Sequence, residues 1–179
     1  GLPASGLHSN GYSLVRRIIA DAGWSLDREV AEFGRSLGEE VLTPTRVYAG
    51  PLLALIAELP GAVHSISHVT GGGLSANVAR VLPQGTVGVM RRASWTVPAV
   101  FDVLGDLGGV PLLDRERTWN QGVGMVLAVA ADRADDVLSA YPGSWVLGDV
   151  RTDDGAFGTD EAYVQGAKGV DAGAAILID

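Results

Sequence analysis

The stretch Ala62-Val-His-Ser-Ile-Ser-His-Val69, followed at once by Thr70-Gly-Gly-Gly73, decides the fold of this chain. In the first segment apolar and polar residues alternate and β-branched residues are frequent, which is typical of a half-buried strand. The apolar spacing of Leu74, Val78 and Leu82 predicts a helix after the glycines. Because three glycines in a row cost conformational entropy, a plain turn would not require them. A strand, a glycine turn and a helix in this order aim backbone N–H groups at an anion.

A second segment, Gly6-Leu-His-Ser-Asn-Gly-Tyr-Ser13, is predicted to open another helix. Ser9 or Asn10 can cap a helix that continues to Ile19 and ends near Gly23. The start of a helix offers unpaired N–H groups and the positive end of the dipole. We therefore expect two phosphate-binding segments, and their candidate residues are Ser9, Asn10, Gly11, Ser13, Thr70, Gly71, Gly72 and Gly73.

Each segment also carries a histidine, His8 in the first and His68 in the second. A histidine beside an anion site can donate a hydrogen bond or act as general acid or base. The alternative is a surface histidine beside a helix cap and a strand-end histidine beside a tight turn. His64 is predicted to share a strand face with His68, but no third ligand is evident, so we expect no metal site.

Two further polar loops are candidates. Thr43-Pro-Thr-Arg46 places two hydroxyls and a guanidinium on a rigid turn, where Thr43 and Arg46 could hold a phosphate or carboxylate. The alternative is a capped loop with a surface ion pair. In the loop before Val123, Trp119 could stack on a ring or anchor the core, and Asn120 could bind ligand or satisfy loop backbone.

The predicted helices and strands follow one another in mixed order, and the connections between the strands are of different types. We expect an α+β fold (an α/β-type sandwich) in which helices cover a mixed sheet, formed by one domain over residues 1–179. Residues 24–36 are predicted to be a partly helical connection. Predicted helices cover 12–19, 50–59, 73–82, 98–107, 112–117 and 132–141, a capping box covers 36–39, and predicted strands cover 62–69, 86–90, 123–130 and 145–150. Residues 172–178 could be one more strand or a loosely held tail.

Composition narrows the classes of function. Of 179 residues, 47% are hydrophobic and 19% charged, which suits a domain with a proper core. A net charge of −8 argues against nucleic acid or an acidic membrane surface as partner. Without cysteine there is neither a disulfide nor a thiol nucleophile. Because the chain starts without methionine or a signal peptide, we expect it to begin inside a longer polypeptide.

Five motifs together resemble one family. They are 6–16, 42–48, 68–74 with Asn77, Arg80 and 82–83, then Trp95 with Pro98 and Phe101, and finally 117–125. In this order they closely resemble the C-terminal half of phosphoribosylformylglycinamidine cyclo-ligases, also called aminoimidazole ribonucleotide synthetases. The resemblance covers residues 1–150, which we expect to be the family core, and leaves 151–179 as an extension without a matched feature. Trp119 and Gln121 depart from the residues expected in much of the family.

The resemblance implies ATP-dependent ring closure of formylglycinamidine ribonucleotide in purine biosynthesis, in the cytoplasm. It implies His8 and His68 as catalytic residues, phosphate binding by the two glycine segments, and support from Thr43, Arg46 and Asn120. ATP and Mg²⁺ are expected mainly on an N-terminal domain that also forms a homodimer, so residues 1–179 alone are expected to be inactive. The alternatives are thiamine-monophosphate kinase or selenophosphate synthetase types of the same superfamily, or a non-catalytic ligand-binding or interaction module.

Overall fold

A computed structural model describes residues 1–167 and 172–179, and within them β-sheets and helices alternate as an α+β fold. One antiparallel sheet has the order β1-β6-β4, formed by Leu2–Pro3, Val123–Val129 and Val63–His68. A mixed sheet has the order β7-β5-β9-β8, formed by Gly148–Thr152, Thr86–Arg91, Ala174–Ile178 and Val164–Gln165. Strands β2 (Glu29–Val30) and β3 (Arg35–Ser36) form a small hairpin. The predicted fold class is confirmed, with a second sheet beside the mixed one.

Helices connect and cover the sheets. In chain order they are α1 Tyr12–Asp21, α2 Leu37–Val41, α3 Ala49–Glu58, α4 Gly73–Ala79, α5 Ala99–Leu107, α6 Leu112–Thr118 and α7 Ala134–Ala140, with 3₁₀ turns at Arg92–Ser94 and Ala131–Arg133. Helix α1 packs with α5 around the fully buried Phe101 and Trp119. Trp119 is therefore a core anchor, and the stacking alternative is wrong. In the described part of the chain, no helix has the length and apolarity needed to cross a membrane.

Most predicted elements are confirmed, and the differences have local causes. The capping box of Ser36 and Glu39 is present. The cap of α1 is Gly11 with φ of 77°, so neither Ser9 nor Asn10 caps the helix. Residues 24–36 contain turns and the β2–β3 hairpin instead of helix. Asp132 lies in a 3₁₀ turn and does not cap α7.

The C-terminal part contributes to the core of the mixed sheet. Strand β9 runs parallel to β5 and is buried over Ala174–Leu177. Strand β7 begins at Gly148, three residues later than predicted, and pairs antiparallel with the other edge of β5. Of the two alternatives for residues 172–178, the strand is therefore the correct one, and it is β9. The predicted extension also includes residues 168–171, which lie outside the described residues.

Candidate functional site

His8 is buried, with only 6% of its surface exposed, in a loop between β1 and α1. Its φ of 57° is a left-handed conformation that is uncommon for a residue other than glycine. The backbone N–H of Ser5 donates to His8 Nε2 at 3.1 Å, so Nε2 is an acceptor and the proton of the neutral ring lies on Nδ1. Nδ1 is buried and has no partner among the described residues. A buried donor of this kind requires an acceptor that the described residues do not supply, such as a water molecule or a ligand.

Electrostatics keep this imidazole neutral. Burial lowers the pKa of His8, and the nearby charges of His68 and Arg46 lower it further. A neutral ring has one donor and one acceptor, and Ser5 already occupies the acceptor. At neutral pH, His8 is therefore suited to donate a hydrogen bond through Nδ1, and not to supply a positive charge.

Tyr48 lies between the two predicted histidines. Its ring centroid is 6.3 Å from that of His8 and 6.3 Å from that of His68. Its hydroxyl donates to the Pro3 carbonyl at 2.8 Å, and burial raises the pKa of this phenol to about 12. His68, at the end of β4, is exposed, whereas Tyr48 is buried. The rings of His8 and His68 thus both lie next to the ring of Tyr48.

Ser5 connects the His8 loop to the Arg46 loop. Its hydroxyl donates to the Pro44 carbonyl at 2.7 Å and accepts from the Arg46 amide at 3.0 Å. This double contact fixes the backbone of Arg46 while the side chain stays exposed. No ion pair of Arg46 occurs among the described residues, so its guanidinium is available to an anion.

The glycine turn between β4 and α4 is held from beneath by Asn77, which is fully buried. Its amide nitrogen donates to the carbonyls of Thr70, Gly71 and Gly73, the last at 2.6 Å. The hydroxyl of Thr70 donates to Asn77 Oδ1 at 3.1 Å. Only glycine fits at Gly73, because its φ is 71° and a Cβ would lie 1.7 Å from the Glu116 carbonyl oxygen. Asn77 thus determines the conformation of this turn.

The two glycine segments meet at the site. A Cβ on Gly71 would lie 3.7 Å from Asn10 Oδ1, so the first loop and the turn face each other across a narrow gap. The amide groups of Asn10, Gly11, Gly71 and Gly72 donate to no acceptor within the described residues. Together with Arg46 and His8, these groups offer hydrogen-bond donors from three loops to an anion.

Several predicted residues serve the protein interior or lie apart. Asn120 is 3% exposed; its nitrogen donates to the carbonyls of Gly6 and Leu7, and its oxygen accepts from Gly122. The structure therefore supports the loop-backbone alternative for Asn120, and its ligand-binding role is corrected. Thr43 accepts from Arg35 at 2.8 Å. Ser9 and Ser13 are exposed near the start of α1, and within residues 1–167 and 172–179 neither side chain forms a hydrogen bond with His8.

The donor set suits an anion and does not suit Mg²⁺. Within the described range, no group of three or more histidine and acidic side chains could hold a metal ion. The site instead presents imidazole, guanidinium and amide donors, whereas Mg²⁺ prefers carboxylate oxygens and water. The residues present therefore do not fit a resident magnesium ion.

Sequence reasoning missed Ser5, Tyr48 and the supporting role of Asn77. Tyr48 and Asn77 belong to the quoted motifs, but their contacts with other segments could not be predicted from the residues next to them. Tyr48 follows Arg46 by two residues, and an aromatic residue directly after a rigid polar turn was an available signal. Ser5 had no comparable signal, because its partners Pro44 and Arg46 are about forty positions away.

The arrangement is that of an α+β domain in which the loops after β1 and β4 lie close together and carry unpaired backbone N–H groups within the described residues. The family model described as "AIR synthase related protein, C-terminal domain" matches residues 1–160, and the chain belongs to this family.

Named relatives agree with this assignment. A Streptomyces fradiae protein that carries the name phosphoribosylformylglycinamidine cyclo-ligase provisionally is 48% identical over 162 residues, which cover 88% of this chain and 87% of that protein. The phosphoribosylformylglycinamidine cyclo-ligases of Symbiobacterium thermophilum and Trichlorobacter lovleyi are 47% and 42% identical over 84% and 85% of this chain. The chain spans 44% of each of these two longer relatives and matches their C-terminal part.

Proposed function

We propose that this chain is the ribonucleotide-binding part of an ATP-dependent phosphoribosylformylglycinamidine cyclo-ligase in purine biosynthesis. The observation that carries the proposal is the Nδ1 of His8, which has no partner among the described residues and lies near Arg46 and His68. The family membership and the names of the relatives support the same assignment.

The ligand is formylglycinamidine ribonucleotide, which carries a phosphate and polar amide and amidine groups. Arg46 and the free amides of Gly71 and Gly72 face the anionic part, because guanidinium and backbone N–H groups are strong phosphate donors. His8 Nδ1 donates to an oxygen of the ligand while Ser5 keeps the ring in its tautomer. His68, which is exposed at the end of β4, is the group of this pair that can exchange a proton with the ligand.

Ring closure requires that the formyl amide oxygen leave and that an amidine nitrogen attack the same carbon. In the proposed reaction, ATP supplies the phosphoryl group that makes this oxygen a good leaving group. We assign ATP and Mg²⁺ to the N-terminal part of the longer relatives, because this chain matches only the C-terminal part of those cyclo-ligases. The homodimer and the inactivity of residues 1–179 alone belong to the same proposal.

Calorimetric titration of the chain with formylglycinamidine ribonucleotide tests the proposal, with ATP·Mg²⁺ as the parallel ligand. The Gly71→Val variant fills the gap toward Asn10 and is expected to weaken ribonucleotide binding at least about tenfold, since the donors can no longer converge. Gly50→Ala is the matched control, because a Cβ on Gly50 meets nothing within 4 Å. If the folded chain binds no ribonucleotide, or if Gly71→Val binds as well as Gly50→Ala, the proposal is wrong.

A further inference from the structure

Four side-chain nitrogens are buried without a hydrogen-bond partner in the described part of the chain, and three of them lie in two adjoining loops. These three are His8 Nδ1, Trp119 Nε1 and Gln121 Nε2. Asn120 donates to the Leu7 carbonyl at 3.2 Å, so the loop before α1 and the loop before β6 lie side by side. Because buried N–H groups are normally paired, these loops together need an acceptor that the described residues do not supply.

The indole of Trp119 packs against the start of α1. A Cβ on Gly11, the N-cap of this helix, would lie 2.5 Å from Cδ1 and 2.6 Å from Nε1 of the indole. The edge of the ring that carries the N–H therefore takes the space of the side chain that Gly11 lacks. On its core side the ring packs with Phe101, with the two ring centroids 6.2 Å apart. The N–H of Trp119 is thus held next to the first turn of α1.

The first turn of α1 carries further unpaired donors. The amides of Gly11, Tyr12 and Ser13 donate to no acceptor within residues 1–167 and 172–179, and no side chain caps the helix. Unpaired N–H groups and the helix dipole give this end a positive partial charge. The turn contains no acidic residue, and Glu40, whose charge acts on Tyr12, is already paired with Arg35 at 2.8 Å. The start of α1 is therefore suited to an anion.

The donors also define the chemical class of this anion. Amide and indole N–H groups donate and do not accept, so they bind neither a cation nor a group that only donates. A phosphate group presents several charged acceptor oxygens and can satisfy donors from more than one direction. A Cβ on Gly71 would lie 3.7 Å from Asn10 Oδ1, so a phosphate at the glycine turn lies next to the start of α1.

We propose that Trp119 is a further phosphate-binding residue of this site. Its indole N–H and the amides of Gly11 and Tyr12 donate to phosphate oxygens of the ribonucleotide, on the side opposite the glycine turn. The ring anchors the core and the N–H binds the ligand, so one side chain serves both purposes. The inference rests on the proposed function for the identity of the ligand, whereas the anion position rests on the unpaired donors.

NMR of the tryptophan side chains tests the proposal in the unchanged chain. The four tryptophans give four indole N–H signals, and the signal that Trp119→Phe removes is that of Trp119. The labelled chain is titrated separately with formylglycinamidine ribonucleotide and with inorganic phosphate. We expect both ligands to move the Trp119 indole proton to higher chemical shift, because the N–H gains a charged acceptor. The signal of Trp24, which follows the end of α1, should stay in place.

Calorimetry measures what the indole N–H contributes to affinity. Trp119→Phe keeps an aromatic ring in the core and removes the donor, and we expect it to weaken ribonucleotide binding about tenfold or more, as for other hydrogen bonds to charged groups. Trp24→Phe is the matched control, because Trp24 packs on Arg28 with the guanidinium carbon 4.3 Å from the ring centroid. This control should bind like the parent chain, and equal affinities of the two variants would overturn the proposal.

The two ligands separate this inference from the proposed function. If the ribonucleotide moves the signals of His8 and Gly71 but leaves the Trp119 indole signal in place, the inference is wrong and the proposed function stands. If inorganic phosphate moves the indole signal but the ribonucleotide does not bind, the anion position stands and the proposed function is wrong. If neither ligand moves the indole signal, Trp119 binds no phosphate and the inference is wrong.

Discussion

The hydroxyl of Tyr48 lies so close to Gly124 that a Cβ on Gly124 would stand 1.8 Å from it. The absence of a side chain on β6 thus makes room for the ring that separates His8 from His68. The position of Tyr48, and with it the geometry of the candidate site, therefore depends on glycine at position 124.

Gly124→Ala should displace Tyr48 and break its hydrogen bond to Pro3. We expect a loss of about 2–4 kcal/mol in the free energy of unfolding, as for other overpacked core positions. Urea denaturation measures this loss, with Gly50→Ala as the control that should change stability by less than about 1 kcal/mol. If both variants unfold at the same urea concentration, Tyr48 is not confined as described.

Asn77→Ala should destabilise the chain by about 2–3 kcal/mol, because one buried and two partly buried carbonyl groups lose their donor. Ser75→Ala on the same helix is the control, since the Ser75 side chain makes no hydrogen bond in the described residues. Urea denaturation of both variants compares them directly. A loss for Asn77→Ala no larger than that for Ser75→Ala would show that the turn holds its shape without this side chain.

The pH dependence of stability should reveal His8. Its pKa is lowered from 6.5 in the folded protein, so below pH 6.5 the unfolded chain binds more protons than the folded one. The stabilisation is complete above pH 6.5 and is lost as the pH falls toward the folded pKa. His8→Asn, which tolerates the left-handed backbone, should therefore lose less stability on acidification than the parent chain.

Urea denaturation at several pH values from neutrality to acid checks this difference, and imidazole NMR checks its origin. The His8 resonance should titrate below pH 6.5. A His8 midpoint above that value, or parallel stability curves for parent and variant, would contradict a buried neutral imidazole.

Residues 1–179 alone should produce no aminoimidazole ribonucleotide from formylglycinamidine ribonucleotide, ATP and Mg²⁺. The reason is that residues 1–179 match only the C-terminal part of the longer cyclo-ligases and span 44% of their length. A colorimetric or chromatographic assay for the product measures this directly, with a full-length relative as the positive control. If the isolated chain formed aminoimidazole ribonucleotide, all residues needed for catalysis would lie within residues 1–179 and the prediction would be wrong.

Sequence periodicity was sufficient for the elements that depend on local patterns. The strand from Val63 to His68, the glycine turn and the capping box at Ser36 follow from alternation, turn chemistry and a short motif. The β2–β3 hairpin was missed because its strands have two residues each and lack a periodic signal. The N-cap of α1 was misplaced because a left-handed Gly11 replaced the expected side-chain cap.

The site was predictable in part for the same reason. His8, Arg46, His68 and the glycines stood out by residue type, and the structure brings His8, Arg46 and His68 near each other. The hydrogen-bond partners of Asn120 could not be predicted from its neighbours in the sequence, since its amide nitrogen donates to carbonyls more than a hundred positions away. Ser5 and Tyr48 gain their roles only through contacts across the fold.

The measurement that tests the central claim most directly is an NMR titration of the isotopically labelled chain with formylglycinamidine ribonucleotide. We predict that shift changes concentrate at the imidazoles of His8 and His68 and at the amides of Gly71 and Gly72, and that the Nδ1–H resonance of His8 moves on binding. Changes confined to residues away from His8, His68 and the glycine turn, or no changes at any residue, would contradict the claim that the ribonucleotide binds at the His8 site.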